Sequence, residues 1–184
     1  MRQATTGVAA ESAARSLHAA GDYRESLEAY EAAFSAYREA GEVLAAARAA
    51  RTVGWFRGWV FGDWAVAQGW FGVAAALLDA TDDARALGWV RYDEARRGCA
   101  LVVQRRLYQE AIAIARDAGD ADLECDATAS LGMMLVFSGL IDEGMAELDR
   151  SLAAICGGGV TELPVIEGCL CGLLNACERT NDVD

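Results

Sequence analysis

Apolar and small residues recur along the chain at helical spacing, in stretches several turns long that short polar turns interrupt. Between residues 64 and 79, Ala67, Phe71, Ala74 and Leu78 fall at i, i+4, i+7 and i+11, one face of an α-helix. Tyr30, Ala33 and Phe34 repeat the pattern, as do Leu148, Ser151 and Leu152. Small alanines opposite large rings let two helices approach closely and interdigitate. The spacing predicts helices over 43–60 and 64–79, and a last helix over 166–179. Proline occurs once, at Pro164, and alanine is the commonest residue, so the backbone favours helix and an all-β chain is excluded. The apolar stretch from Gly58 to Leu78 is interrupted by Asp63 and Gln68, too soon for a membrane span.

The pattern is also periodic on a longer scale, and this decides the architecture. Residues 33–42 match residues 111–120 almost position for position. Gly21-Asp22-Tyr23 recurs as Gly62-Asp63-Trp64, a related turn stands at Gly139-Leu140-Ile141, and Asn181-Asp182-Val183 closes the chain. Gly21 to Gly62 is 41 residues, Gly62 to Gly139 is 77 across two units, and Gly139 to Asn181 is 42. The units run roughly 7–41, 42–81, 82–119 and 120–157, with a partial unit at 161–184. They form one domain of about four and a half helical hairpins, or about nine helices.

The segments 18–34 and 131–152 resemble tetratricopeptide repeats, in their small residues at the helix crossing, large apolar residue on the second helix and turn glycine. The units are longer than that family's 34 residues, no Pro ends them, and the third offers Arg97-Gly98-Cys99-Ala100 in place of a Gly-Asp-aromatic turn. The resemblance implies an all-α, right-handed superhelical solenoid. Residues 62–71 and 172–179 further resemble the repeat region of actinobacterial LuxR-type transcriptional regulators, in which the repeats receive a signal or partner and a separate helix-turn-helix module binds DNA. The last helix lacks both a partner and the polar cap a solenoid needs. It is expected to continue into a longer chain or to dock on something, a second copy through 166–179 included. Gly157-Gly158-Gly159 with Pro164 is the expected hinge.

In the resembled family the first helix of each unit lines a concave groove. Counting back from the turns places there Arg15 and His18 of unit one and Phe56 and Trp59 of unit two. Unit three contributes Trp89, Asp93, Arg96 and Arg97, and unit four Met133 and Phe137. Seven aromatic residues lie between Trp55 and Phe71, more than one core stripe holds. They line a groove, enclose an apolar small molecule, or fill gaps between long helices.

Charge narrows the partners. Sixteen basic residues, all Arg, face 28 acidic ones, for a net charge of −12. Such a chain repels nucleic acid, whose binding requires a basic face. Arg91, Arg96, Arg97, Arg105 and Arg106 crowd one 16-residue window against Asp93 and Glu94. They form either a clamp for an acidic peptide or a solvated face balanced by neighbouring acids. The six cysteines have no CxxC pair or clustered His, which argues against zinc and for small core residues. The start of the chain lacks a signal-like apolar core, so a reducing cytoplasm is expected.

No enzyme signature is present. His18 is the one histidine, no Gly-x-Ser-x-Gly surrounds a nucleophile, and without lysine a phosphate-binding P-loop is impossible. The sequence reads as a cofactor-free, non-catalytic scaffold for a protein or peptide segment, with no direct contact to nucleic acid or membrane. The contrasting reading is a sensor that binds an apolar small molecule at the Trp-rich second unit.

Overall fold

In the computed structural model, which describes residues 2–96 and 100–180 and their side chains from Thr6 onward, the helical periodicity becomes nine α-helices and no strand among the described residues. They are α1 (Arg2–Ala20), α2 (Tyr23–Ala40), α3 (Val43–Trp55), α4 (Trp64–Asp79), α5 (Ala84–Arg96), α6 (Leu101–Ala118), α7 (Ala121–Phe137), α8 (Ile141–Cys156) and α9 (Leu163–Thr180). A π-helical turn, Phe56–Val60, continues α3. The expected helices at 43–60, 64–79 and 166–179 are α3 with its π-helical turn, α4 and the greater part of α9. No described helix is long and apolar enough to cross a membrane. Arg97, most of the expected turn at 97–100, and the closing Asn181-Asp182-Val183 lie outside the described residues.

The recurrent glycines have a backbone cause. Gly21, Gly62 and Gly139 adopt φ of 84°, 72° and 87°, a left-handed conformation that costs a side-chain-bearing residue energy and glycine almost none. Each helix therefore stops where the sequence repeats its glycine. Asp63 and Asp120 then start α4 and α7, accepting hydrogen bonds from the Val66 and Leu123 amides at 3.3 and 3.0 Å.

The chain divides into two compact units, 1–82 and 83–184, with the boundary between the expected second and third hairpins. In the first, α1 packs on α2, α2 on α3 and α3 on α4. One core cluster joins Ala14, Leu27, Tyr30, Val53 and Phe56; another joins Ala33, Tyr37, Ala46 and Ala49. Of the stripe on α4, Ala67, Ala74 and Leu78 are buried, while Phe71 is half-buried and lies against the α3 backbone at Gly54.

In the second unit α7 is central, in contact with α5, α6, α8 and α9. Tyr92, Tyr108, Leu123, Leu131 and Leu135 form its main core, and Cys125, Val136, Leu148, Val165 and Cys169 a second one under α9. At the crossing of α7 and α8, Gly132 and Gly144 face each other so closely that a Cβ on either would stand under 3 Å from the other's carbonyl oxygen. The triglycine segment does not run loose into α9. The Asp122 carboxylate accepts bonds from the Thr161 amide (2.8 Å), the Thr161 hydroxyl (3.0 Å) and the Glu162 amide (2.9 Å), pinning the entry to α9 onto the start of α7.

Candidate functional site

In the second unit, the described residues expected on the groove fall on two helical stripes. On α5, Trp89, Asp93 and Arg96 follow one another at i, i+4 and i+7; on α7, Asp126, Ser130, Met133 and Phe137 do the same over three turns. The polar centre spans both helices. An Arg96 guanidinium nitrogen donates to the Tyr92 hydroxyl at 3.3 Å, and that hydroxyl lies 3.4 Å from the Ser130 hydroxyl of α7. The Tyr92 oxygen, with the Asp126 and Asp93 carboxylates, holds the Arg96 guanidinium above its ordinary range, and the side chain itself is exposed. Burial pushes the neighbouring Tyr108 hydroxyl up to about 12, so it remains a neutral hydrogen-bonding group.

Around this centre the face is apolar. Phe137 is 52% exposed, with the Arg179 guanidinium of α9 5.6 Å from its ring centroid. Met133 is half-buried, and its side chain touches the α9 backbone at Gly172. Trp89 is held by its indole N–H, which donates to Asp120 at 3.1 Å, and by an edge-on contact with Tyr92. Trp89, Asp93, Arg96, Met133 and Phe137 thus belong to one unit and two facing stripes. Asp126 and Ser130 continue the α7 stripe, where the i, i+4, i+7 rule finds them, while Tyr92, 1% exposed, is a core residue whose hydroxyl lies beneath.

The first unit places its residues differently. Phe56, expected on the groove, is fully buried, and His18 is 2% exposed with its ring 4.9 Å from that of Phe56. Both are core residues and present no surface to a partner. His18 stands three residues before Gly21, as the buried Val136 stands three before Gly139. For Phe56 the reason lies in the π-helical turn: from Gly54 to Gly62 is eight residues, whereas the matching stretch from Gly132 to Gly139 is seven. The extra residue widens the helix, so counting back from the turn selects a position one residue too far along. Trp55, half-buried, occupies the position that Met133 has in α7. Trp59 is 60% exposed and meets Trp64 edge-on, ring centroids 4.9 Å apart. Trp70 packs edge-on against Phe34 and Phe71 covers Gly54, so these two aromatics fill gaps between helices.

Arg15 belongs to a network that sequence reasoning missed. The buried Glu11 carboxylate accepts bonds from Arg15 (3.0 Å), from Arg48 twice (3.1 and 2.8 Å) and from the Tyr37 hydroxyl (2.5 Å), tying α1, α2 and α3 together. Burial pushes the Glu11 carboxyl up, but the Arg48 and Tyr37 hydrogen bonds and the Arg48 charge outweigh it, leaving the pKa below the usual glutamate value. Burial, followed by the bond to Glu11, pushes the Tyr37 hydroxyl up to about 12.

The crowded arginines of α5 and α6 have acidic neighbours. Arg91 pairs with Glu94 (2.7 Å) and Glu110 (3.3 Å), Arg105 with Glu143 (2.7 Å) and Arg106 with Glu110 (3.6 Å). These pairs support the balanced-face reading over the acidic-peptide clamp. Compared with protein-family models and with curated proteins, the chain matches none.

Proposed function

We propose that the protein is a non-catalytic interaction scaffold of tetratricopeptide type, which holds a peptide or protein segment on the face formed by α5, α7 and the end of α9. The observation that carries this reading is the presence on α5 and α7 of polar groups (Arg96 and Ser130, with Asp93 and Asp126, over the buried Tyr92 hydroxyl) and of the exposed ring of Phe137 beside Met133. Such a face suits an extended segment. A polar backbone or side-chain group bonds at the centre while an apolar side chain covers Phe137, the combination of anchored ring and satisfied polar rim that interfaces use. The net charge of −12 supports a protein partner over nucleic acid. The repeated helical hairpins support the solenoid arrangement, and the LuxR-like wording of residues 62–71 and 172–179 supports a place in transcriptional regulation.

Native mass spectrometry of the protein drawn gently from its own cell lysate tests the reading. A species heavier by another polypeptide is expected. A gain of only a few hundred daltons would replace the scaffold with a small-molecule sensor, and exact multiples of the chain mass would replace it with self-association.

A further inference from the structure

Two of the cysteines meet inside the second unit. The Cys125 and Cys169 sulfurs are 3.6 Å apart, one on α7 and one on α9, with both side chains buried (1% and 3% exposed). The Cys125 thiol also lies 3.6 Å from the Ser151 carbonyl oxygen, and Cys169 lies 3.9 Å from the Cys125 carbonyl oxygen. Burial alone would make these inert small residues. Cys125, however, also lines a cleft of about 420 Å³ among α6, α7, α8 and the triglycine turn, whose wall includes Arg116, Thr128, Arg150 and Gly159. A molecule the size of a hydroperoxide fits that space, against the wall to which Cys125 belongs and Cys169 does not.

We propose that Cys125 and Cys169 are an oxidation site, a dithiol that a small hydroperoxide entering through this cleft converts to a disulfide linking α7 to α9. The Cys125 sulfur gives up its proton and attacks the peroxide. The O–O bond breaks, an S–O bond forms, and the departing oxygen leaves with a proton as water, or as an alcohol from an organic hydroperoxide. The Cys169 sulfur then attacks the sulfenic sulfur of Cys125. The S–O bond breaks, an S–S bond forms, and the second water carries off the Cys169 proton. The two sulfurs lose two electrons in total, and one hydroperoxide gains them.

The order of steps follows from the surroundings. Cys125 lines the cleft and Cys169 lies behind it, so the cleft-lining partner reacts first. A disulfide requires the sulfurs to approach to about 2.05 Å, a closure that side-chain rotation and a small shift of α9 can supply. The bond would fix α9 to α7 about one turn along α9 and two turns along α7 from the contact between Met133 and Gly172.

The test is peptide mapping by mass spectrometry of the folded wild-type chain after brief hydrogen peroxide treatment, without reductant and with the remaining thiols blocked. The expected result is a cross-linked peptide pair joining Cys125 to Cys169, short of two hydrogens, while the exposed Cys156 and Cys171 remain open to blocking. A variant with Cys99, Cys156, Cys171 and Cys177 all changed to Ser should give the same link and lose both thiols together. Recovery of Cys125 and Cys169 as free thiols under conditions that oxidise Cys156 or Cys171 would overturn the proposal, as would their oxidation to separate sulfinic acids without a link.

Discussion

Glu11 shows how much one side chain can hold. Its carboxylate is buried, yet it receives donors from α1, α2 and α3, so removing it takes a hydrogen-bond partner from Arg15, Arg48 and the Tyr37 hydroxyl at once. Glu11→Ala should cost about 1–3 kcal/mol, the range for leaving the buried Tyr37 hydroxyl unsatisfied while the partly exposed Arg48 turns to water, read as a fall in the urea midpoint. Its folded pKa lies below the ordinary value of 4.5. The stabilisation is therefore complete above the unfolded value and is lost as pH falls through the folded one. Urea midpoints should drop in the wild type as pH falls below the ordinary value of 4.5, and Glu11→Gln should flatten part of that slope. Phe56 and Trp59, three residues apart, separate core from surface. Phe56→Ala should cost about 3–5 kcal/mol, while Trp59→Ala should lose only its ring contact with Trp64, about 1 kcal/mol. Equal losses in thermal or urea unfolding would contradict the assignment of Phe56 to the core.

The helices were legible in the sequence because glycine is required where the backbone turns left-handed. Gly21, Gly62 and Gly139 mark helix ends for that reason, and the predicted spans 43–60 and 64–79 follow. The π-helical turn was written there too, as one surplus residue between Gly54 and Gly62, but only comparison with Gly132 to Gly139 exposes it. Without that comparison Phe56 takes the place of Trp55. Counting back from the turns along the first helix of each hairpin named Trp89, Asp93, Arg96, Met133 and Phe137, and helical spacing puts the first three on one stripe of α5 and the last two on one stripe of α7. Contacts between distant helices left no such trace. Glu11 and Arg48 are 37 residues apart and each reads as an ordinary surface charge; Cys125 and Cys169 are 44 apart and read as small apolar residues. At this scale the close crossing of α7 and α8 makes a sharp prediction. Gly132→Ala places a Cβ 2.8 Å from the Gly144 oxygen and 2.9 Å from Leu148 and should cost about 1–3 kcal/mol through overpacking. Gly168→Ala, in open space on α9, should instead stabilise by about 0.5–1 kcal/mol through helix propensity. Chemical denaturation of the two variants side by side decides it; a neutral Gly132→Ala would mean that the two helices cross at a greater distance.

For the whole molecule, an acidic, alanine-rich chain devotes small residues to close helix packing and keeps a band of larger side chains on one face of its second unit. The charge disfavours nucleic acid, the crowded arginines have acidic neighbours, and the α5–α7 face combines a polar centre with an exposed ring. These features together support a scaffold that binds a peptide segment. The most direct measurement is a selection of displayed random peptides on the purified wild-type chain, repeated on an Arg96→Gln, Phe137→Ala variant whose helical circular dichroism matches wild type. The account predicts that selected peptides share a motif with an apolar residue and lose binding to the variant. Peptides that bind the two proteins equally, or a selection that yields no common motif, would contradict it.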